Sequence, residues 1–363
     1  MKRFLLVLSI FLTAGASLCS AGEPVYRDAS EFPVYGKITD KTNMRYERLP
    51  GTLEGVIRTP VWRLGRNSAG LYIRFRSNSP AIYLRWSPLT NNTMSHMTDT
   101  GTKGMDLYAM SDEGWRFLRA ARPKGKQEVN EAKIVCGKAE REYMLYLPLY
   151  DGLKSLEIGV EEGSFIEQPA VETPSNAKPV IMYGTSILQG GCASRPGMAH
   201  TNILSRRLDR TVINLGFSGN AFLDYEIAEL MASYEDPGVF VLDYVPNATP
   251  EHIDERGEKF FRILREAHPD VPVVFVELPT YPPTRFDKGA ENVKIKRNDA
   301  QKRLYDKLRK AGEKKIFYIK SEGMIGDDGE ATVDGTHFTD LGMMRYVDHV
   351  LPTIRKAISK NKY

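Results

Sequence analysis

The chain has 363 residues, of which 42% are hydrophobic, 26% charged and 10% aromatic, and its 50 Lys and Arg against 46 Asp and Glu give a net charge of +4. This composition is typical of a globular protein and excludes a disordered, collagen-like or polytopic membrane protein. The length favours two domains, and a charge so near balance gives no reason to expect a nucleic acid or another polyanion as partner.

The first residues have the features of an export signal. Two basic residues precede an apolar run at 4–12, and small side chains then lead to a cleavage site ending at Ala21. The run is too short to span a bilayer. We therefore expect residues 1–21 to be a signal peptide and the mature protein to be periplasmic or extracellular. A lipoprotein anchored through Cys19 fits less well, because Leu18 stands where a small residue is expected.

Residues 23–168 are predicted to form an antiparallel β-sandwich domain. Apolar and polar residues alternate with a period of two at 71–76 and, after a turn signal, at 81–86. This pattern predicts a hairpin with one solvent-facing side. The same alternation recurs at 143–147 and 156–160 around a second turn signal. Short strands with one apolar face must bury that face against a second sheet.

A different pattern follows a boundary at 169–179, where prolines interrupt both periods and predict a linker. In residues 180–363, short apolar runs alternate with longer segments of helical spacing. Strand and helix alternating in this way predict a parallel sheet with helices on both faces. The runs predicted as strands are 180–183, 212–215, 239–244, 271–276 and 316–319.

Candidate catalytic residues follow the predicted strands. In an open parallel sheet, functional groups collect beyond the carboxyl ends of the strands. Ser186, after the first of these strands, is the candidate nucleophile, and His337, after the last, is the candidate base. Asp334 precedes this histidine by three residues and is expected to orient its imidazole. Each residue alone is a weak signal, because Gly-x-Ser occurs three times in the chain and Asp-x-x-His also occurs in solvated turns.

Two further strand exits carry candidates for an oxyanion hole. Acyl transfer through a serine needs hydrogen-bond donors aimed at the developing negative charge. The backbone N–H groups of Ser186 and Gly219 and the side-chain amide of Asn247 are the candidate donors. Asn247 has an alternative interpretation as a turn residue before Thr249-Pro250, where a helix is predicted to begin.

The region from about Pro179 to Ile358 resembles the SGNH, or GDSL-like, hydrolases, whose conserved blocks supply Ser, Gly, Asn and His in this order. An upstream Gly-x-Asp-Leu-Tyr segment at 104–108 resembles the N-terminal domain that accompanies one bacterial branch of the family. The resemblance implies a flavodoxin-like three-layer α/β/α domain and an acyl-enzyme on Ser186. The matching blocks lie at 184–187, 218–220, 247 and 334–339.

This sequence departs from the family pattern in two blocks. Thr185 stands where the family usually has Asp before the nucleophile, and 245–248 read Val-Pro-Asn-Ala instead of Gly-x-Asn-Asp. The first departure leaves the proposed chemistry intact. The second affects the assignment of Asn247 more than that of any other residue.

The loop at 190–197 follows the nucleophile and is expected to form one wall of the site. Within it, Arg195 is expected either to bind a substrate carboxylate or sugar hydroxyl or to form a structural ion pair. Cys192 is expected to be a buried thiol rather than a second nucleophile. A bridge between Cys192 and Cys136 is permitted in an exported protein, but unpaired thiols are the favoured interpretation.

Taken together, these features predict an exported serine esterase that removes acetyl or another small acyl group from a glycan. The alternatives are a lipase or acyltransferase with the same triad, and an inactive glycan-binding protein. No zinc-ligand spacing and no phosphate-binding loop occurs in the sequence, so no cofactor or metal is implied. We also expect no integral membrane span.

Overall fold

The computed structural model describes residues 22–172 and 174–360, and the predicted signal peptide and Cys19 lie outside them. The described N-terminal region consists mainly of short strands. Its elements are β1 (Val25–Asp28), β2 (Val34–Tyr35), α1 (Thr59–Gly65), β3 (Tyr72–Ser77), β4 (Ala81–Pro88), α2 (Asp99–Lys103), β5 (Met105–Ser111), β6 (Gly114–Ala121), β7 (Asn130–Val135), β8 (Arg141–Tyr146), β9 (Leu153–Val160) and β10 (Ile166–Glu167).

These strands form two antiparallel sheets, as the period-two pattern predicted. One sheet has the order β1-β9-β4-β7, and the other has the order β10-β3-β8-β5-β6, with β2 paired to β3. Side chains from both sheets meet in one core, which includes Phe75, Trp86, Leu107 and Ile158. The β-sandwich prediction is therefore confirmed.

The predicted hairpin between the third and fourth strands is wrong. β3 pairs with β8, whereas β4 pairs with β7 and β9 in the opposite sheet. The chain thus crosses from one sheet to the other in the turn after Ser77, and it crosses again between β8 and β9. Alternation specifies which face of a strand is apolar, but it does not specify the partner strand, because either partner buries the same face. β5 and β6 do form a hairpin, closing at Ser111 and Gly114.

The outer faces of the two sheets differ in exposure. On β4, Arg85 lies at the surface and forms ion pairs with Glu131 and Glu157, as expected for a solvent-facing side. On β3, Tyr72 and Arg74 are almost fully buried, so the predicted solvent-facing side of this strand is wrong. The second region of the protein covers this face, and the Tyr72 hydroxyl lies 3.2 Å from Oγ1 of Thr211.

The C-terminal region is an alternating α/β unit. Its strands are all parallel, in the order β12-β11-β13-β14-β15, which is the flavodoxin-like order that the family resemblance implied. The elements are β11 (Ser175–Gly184), α3 (Ser186–Gln189), α4 (His200–Leu208), β12 (Arg210–Gly216), α5 (Tyr225–Ala232), β13 (Val239–Asp243), α6 (Pro250–Ala267), β14 (Val273–Val276), α7 (Lys288–Lys310), β15 (Ile316–Ile319) and α8 (Asp340–Ser359).

Both faces of the parallel sheet are buried, which explains the continuous apolar runs in its strands. Ile181 and Tyr183 point into a core shared with α5, α6 and α7. Val180 and Met182 point into a core shared with α4 and α8. The first of these cores also receives Trp62 from α1, so the N-terminal region contributes directly to the packing of the α/β unit.

Within the described residues, no helix combines the length and the hydropathy needed to cross a bilayer.

Candidate active site

Ser186 follows β11, the strand at which the order of the parallel sheet reverses: the next strand, β12, pairs on one side of β11, and β13 pairs on the other. β11 ends at Gly184, which pairs with Gly216 of β12 on one side and with Asp243 of β13 on the other. Since the connections leave the sheet on opposite sides there, a crevice opens beyond the strand ends. Ser186 begins α3 at this position and is 7% exposed.

Ser186, His337 and Asp334 form one hydrogen-bonded chain. Ser186 Oγ lies 2.9 Å from His337 Nε2, and His337 Nδ1 lies 2.8 Å from Asp334 Oδ2. The structure therefore brings together the three residues that the sequence analysis placed in a triad. Their catalytic roles stay predictions, but the geometry is that of a nucleophile, a base and an orienting acid.

The loop around Asp334 fixes the imidazole. Asp334 Oδ1 accepts the backbone N–H groups of Thr336 and His337 at 3.0 and 2.8 Å, which holds the carboxylate and leaves Oδ2 for the histidine ring. Partial burial favours the neutral acid, but these hydrogen bonds and the charge of His337 outweigh it and lower the pKa of Asp334 to about 2. An ionised Asp334 keeps the proton on Nδ1, so that Nε2 can accept the serine proton.

The candidate oxyanion residues lie on two neighbouring loops. Gly219 has a φ of +66°, a conformation that L side chains rarely adopt, although an added Cβ would meet nothing within 4 Å. Asn247 Oδ1 accepts the backbone N–H of Ala221 at 3.2 Å. This bond ties Asn247 to the Gly219 loop and directs its other amide atom, the Nδ2 donor, away from that contact.

The backbone of Asn247 also matches the alternative interpretation. Its N–H donates to the Tyr244 carbonyl at 2.9 Å, so the residue lies in a turn. Thr249 then caps α6, with Pro250 at the first helical position. The turn and the side-chain contact are compatible, and the oxyanion role of Asn247 stays a prediction.

Of the two roles expected for Arg195, substrate binding or a structural ion pair, the structure contains the ion pair. Its Nη1 lies 2.7 Å from Asp106 Oδ2 and donates to the Tyr108 hydroxyl at 2.8 Å. Its guanidinium also stacks over Phe117, 3.6 Å from the ring centroid. Asp106 and Tyr108 belong to the Gly-x-Asp-Leu-Tyr segment, so this motif anchors the loop at 190–197 through Arg195. A substrate contact by Arg195 stays a prediction.

Gly197 completes the contact between this motif and the loop. Its N–H donates to Asp106 Oδ2 at 2.8 Å. A Cβ at this position would lie 2.5 Å from atoms of Tyr108 and 2.9 Å from the same carboxylate oxygen. Glycine is therefore favoured here because the Tyr108 ring and the Asp106 carboxylate lie directly against its Cα.

Other residues of the N-terminal region contact the nucleophile and the end of β12, and sequence reasoning did not find them. The Tyr150 hydroxyl donates to the Ser186 carbonyl at 2.9 Å. Arg48 is fully buried and donates to the carbonyls of Asn214 and Gly216 at 3.1 and 2.9 Å. Burial lowers the pKa of Arg48 to about 9, since no carboxylate compensates for its desolvation. A lone arginine far from the motifs carries no local signal of this function.

His96 is a further residue that the sequence analysis missed. It comes from the N-terminal region, yet its ring centroid lies 5.1 Å from that of His337.

Cys192 is buried, and its sulfur lies within 4.8 Å of a ring nitrogen of each of these two histidines. Burial, with a smaller contribution from Asp334, raises the pKa of the Cys192 thiol to about 12, which disfavours a role as nucleophile. Among the described residues Cys192 and Cys136 are unpaired, as favoured from the sequence.

Comparisons with family models match most of the described chain. A model described as the N-terminus of Esterase_SGNH_hydro-type matches residues 25–166. A model of the GDSL-like Lipase/Acylhydrolase family matches residues 177–355. A search of curated proteins finds no match.

Solved structures resemble the chain over nearly its whole length. A putative GDSL-like lipase from Bacteroides ovatus is 36% identical with a TM-score of 0.88, and the match covers 93% of this chain and 98% of that one. A salicylyl-acyltransferase from a tetracycline biosynthetic pathway is 15% identical with a TM-score of 0.74, covering 92% and 97%. A family two carbohydrate esterase from Clostridium thermocellum, in complex with cellohexaose, is 11% identical with a TM-score of 0.55, covering 80% and 94%.

Proposed function

The chain belongs to the GDSL-like, or SGNH, family of ester hydrolases, and we propose that it is an exported serine esterase that removes small acyl groups from a glycan. The observation that carries the proposal is the hydrogen-bonded chain from Asp334 through His337 to Ser186. Export is proposed from the basic and apolar pattern of residues 1–21.

In the proposed reaction, Ser186 attacks the ester carbonyl. His337 Nε2 takes the proton from Ser186 Oγ while Oγ bonds to the carbonyl carbon. The carbonyl oxygen becomes an oxyanion, which the N–H groups of Ser186 and Gly219 and the Nδ2 donor of Asn247 stabilise. His337 then gives its proton to the leaving alcohol, and the acyl group stays on Ser186.

Water completes the proposed cycle. His337 takes a proton from a water molecule, the resulting hydroxide attacks the acyl-enzyme, and the proton returns to Ser186 Oγ as the carboxylic acid leaves. Asp334 stays ionised throughout and stabilises the imidazolium that forms twice in each cycle. No step needs a cofactor.

The proposal that the leaving alcohol is a glycan rests on the domain arrangement and on fold neighbours, and not on a contact to a sugar. An export signal followed by a β-sandwich is suited to a substrate outside the cytoplasm. Cellohexaose bound to a carbohydrate esterase of similar fold is an example of a glycan on such a scaffold. Among the described residues, the connections that follow the strand ends contain no long apolar segment of the kind that a lipase uses as a lid.

The first test is hydrolysis of 4-nitrophenyl acetate, butyrate and octanoate by the wild type, Ser186→Ala and Ser205→Ala. Ser205 is a buried serine of α4 and serves as the matched control. We expect Ser186→Ala to lower kcat by about 10⁵-fold or more, while Ser205→Ala stays active. Preference for the acetate ester supports a small acyl group on the natural substrate. Preference for the octanoate ester would indicate a lipid substrate instead of an acylated glycan. Equal background rates in all three proteins would contradict the esterase.

The glycan is tested by acetate release from acetylated oligosaccharides with the same proteins. A rise in kcat/KM over 4-nitrophenyl acetate supports the proposed substrate class. An added sugar acceptor tests the acyltransferase alternative, to which the salicylyl-acyltransferase fold neighbour draws attention. Transfer in excess of hydrolysis would replace the proposed hydrolase by a transferase.

A further inference from the structure

Three side chains with metal-binding atoms meet beside the proposed nucleophile. They are His96, Cys192 and His337, and their ligand atoms all lie within 4.8 Å of one another. The thiol is buried and the two imidazoles are half-buried, so the cluster combines a shielded sulfur with nitrogen atoms that solvent reaches. From this geometry we propose an inhibitory site for a borderline-soft divalent cation such as Zn²⁺, a proposal that rests on the esterase function because the site shares His337 with it.

The ligand set is one that suits zinc. Cysteine sulfur and histidine nitrogen are its preferred protein ligands, and a site with three protein ligands leaves a fourth position for water. With Zn–S of about 2.3 Å and Zn–N of about 2.0–2.1 Å in a tetrahedron, neighbouring ligand atoms lie about 3.5 Å apart. Since no two of the ligand atoms lie more than 4.8 Å apart, each pair needs to approach by at most about 1.3 Å, which rotation about their side-chain bonds can supply.

The hydrogen bonds of His337 determine how it would bind the cation. Its Nδ1 donates to Asp334 Oδ2 at 2.8 Å, which leaves the lone pair on Nε2. A ligating histidine that donates its other N–H to a carboxylate is a common feature of zinc sites, because the carboxylate orients the ring and raises its basicity. The Asp334–His337 arrangement that suits a catalytic base thus also suits a metal ligand.

Cation binding and catalysis would compete for one atom. His337 Nε2 lies 2.9 Å from Ser186 Oγ, and a cation on Nε2 removes the acceptor for the serine proton. When the cation binds, the Cys192 thiol loses its proton to solvent and its sulfur joins the cation as a thiolate. Bound Zn²⁺ therefore leaves Ser186 without a base, and a chelator restores the starting state.

The loops that carry His96 and Cys192 are held against each other. Thr98 Oγ1 donates to the Ser194 carbonyl at 2.7 Å, which ties the His96 loop to the loop of Cys192. The Cys192 N–H donates to the carbonyl of Phe338, the residue after His337, at 3.1 Å. The backbone thus holds the three ligands near one another before any ion binds.

The inhibition test is a Zn²⁺ titration of 4-nitrophenyl acetate hydrolysis in a buffer without thiols or chelators. We expect inhibition that EDTA reverses, with the half-inhibiting concentration raised about 10-fold or more in Cys192→Ala and in His96→Ala. Cys136→Ala is the matched control, and its half-inhibiting concentration should equal that of the wild type. Equal inhibition of the wild type and Cys192→Ala would overturn the proposal, as would no inhibition.

A binding test separates this proposal from the esterase function. Co²⁺ is added to Ser186→Ala, which retains the three ligands, and to the Ser186→Ala/Cys192→Ala double variant. We expect thiolate-to-cobalt charge-transfer absorption in the first protein and its loss in the second. Absorption without esterase activity in the wild type would support the metal site and contradict the function. Activity without cobalt absorption would overturn the metal site alone.

Discussion

Two acidic residues near the proposed nucleophile each pair with a basic side chain, but in opposite environments. Asp334 and His337 are three residues apart, with side chains 36% and 23% exposed. Asp106 and Arg195 come from the two regions of the chain, with side chains 0% and 19% exposed. The first pair is placed to transfer a proton in the proposed reaction. The second pair holds the N-terminal region against the loop at 190–197.

The pKa directions of the two carboxyl groups follow from their surroundings. Asp334 keeps enough contact with solvent that its hydrogen bonds prevail and its pKa falls. For Asp106, burial is the largest effect and raises the pKa, although Arg195 and the Gly197 N–H oppose it. An exposed pair adds little to stability, whereas breaking a buried pair leaves an uncompensated charge. Aspartate therefore has a proposed catalytic role in one pair, and in the other it holds two regions of the chain together.

Among changes to these two pairs, the largest effect on activity is expected from Asp334→Asn. The amide can no longer hold His337 with its proton on Nδ1, so we expect kcat for 4-nitrophenyl acetate to fall about 10⁴-fold. Thermal unfolding of the variant should stay close to that of the wild type, because this partly exposed side chain contributes less than about 1 kcal/mol. A fall in kcat of less than 10-fold would contradict the assignment of Asp334.

The largest effect on stability is expected from Asp106→Ala. The change removes the carboxylate that balances the charge of Arg195 and accepts the Gly197 N–H, and it leaves Arg195 only the neutral Tyr108 hydroxyl. We expect the free energy of unfolding to fall by about 3–5 kcal/mol in urea titrations. Glu131→Ala, which breaks a surface pair with Arg85, is the control and should cost less than about 1 kcal/mol. Equal losses in the two variants would show that burial does not distinguish these pairs.

An intermediate effect on activity is expected from Asn247→Ala. Loss of one oxyanion donor lowers kcat by about 10²–10³-fold, or about 3 kcal/mol of transition-state stabilisation, while KM changes little. Steady-state kinetics with 4-nitrophenyl acetate measure both parameters. An unchanged kcat would leave Asn247 with its turn role alone.

The smallest effect concerns pH. Because folding lowers the pKa of Asp334 from 3.8 to about 2, its contribution to stability is present above about pH 4 and is lost as pH falls towards 2. Solvent screening of this exposed side chain keeps the contribution below about 1 kcal/mol. The difference in free energy of unfolding between wild type and Asp334→Asn should therefore narrow between pH 5 and pH 2.5, measured by urea titration. A difference that widens on acidification would contradict the lowered pKa.

Local patterns in the sequence were enough to predict the two fold classes and the triad. Alternation within a strand reports which face is apolar, and the α/β strands were found because both faces of Val180 to Tyr183 are covered. Asp334 and His337 were paired because a spacing of three residues lets one loop join them. Ser186 and Gly219 were found from their positions after predicted strands, where the topology of a parallel sheet collects functional groups.

Tertiary structure alone decided which strands pair, what covers the outer face of β3, and which distant side chains reach the site. Tyr72 and Arg85 occupy similar places in alternating strands, yet only Tyr72 is buried, because the α/β unit packs on one sheet and not on the other. His96 and Arg48 reach the active site through the packing of two regions that no local spacing encodes. A sequence specifies local periodicity through the burial of each face, whereas contacts between distant segments depend on how whole surfaces fit together.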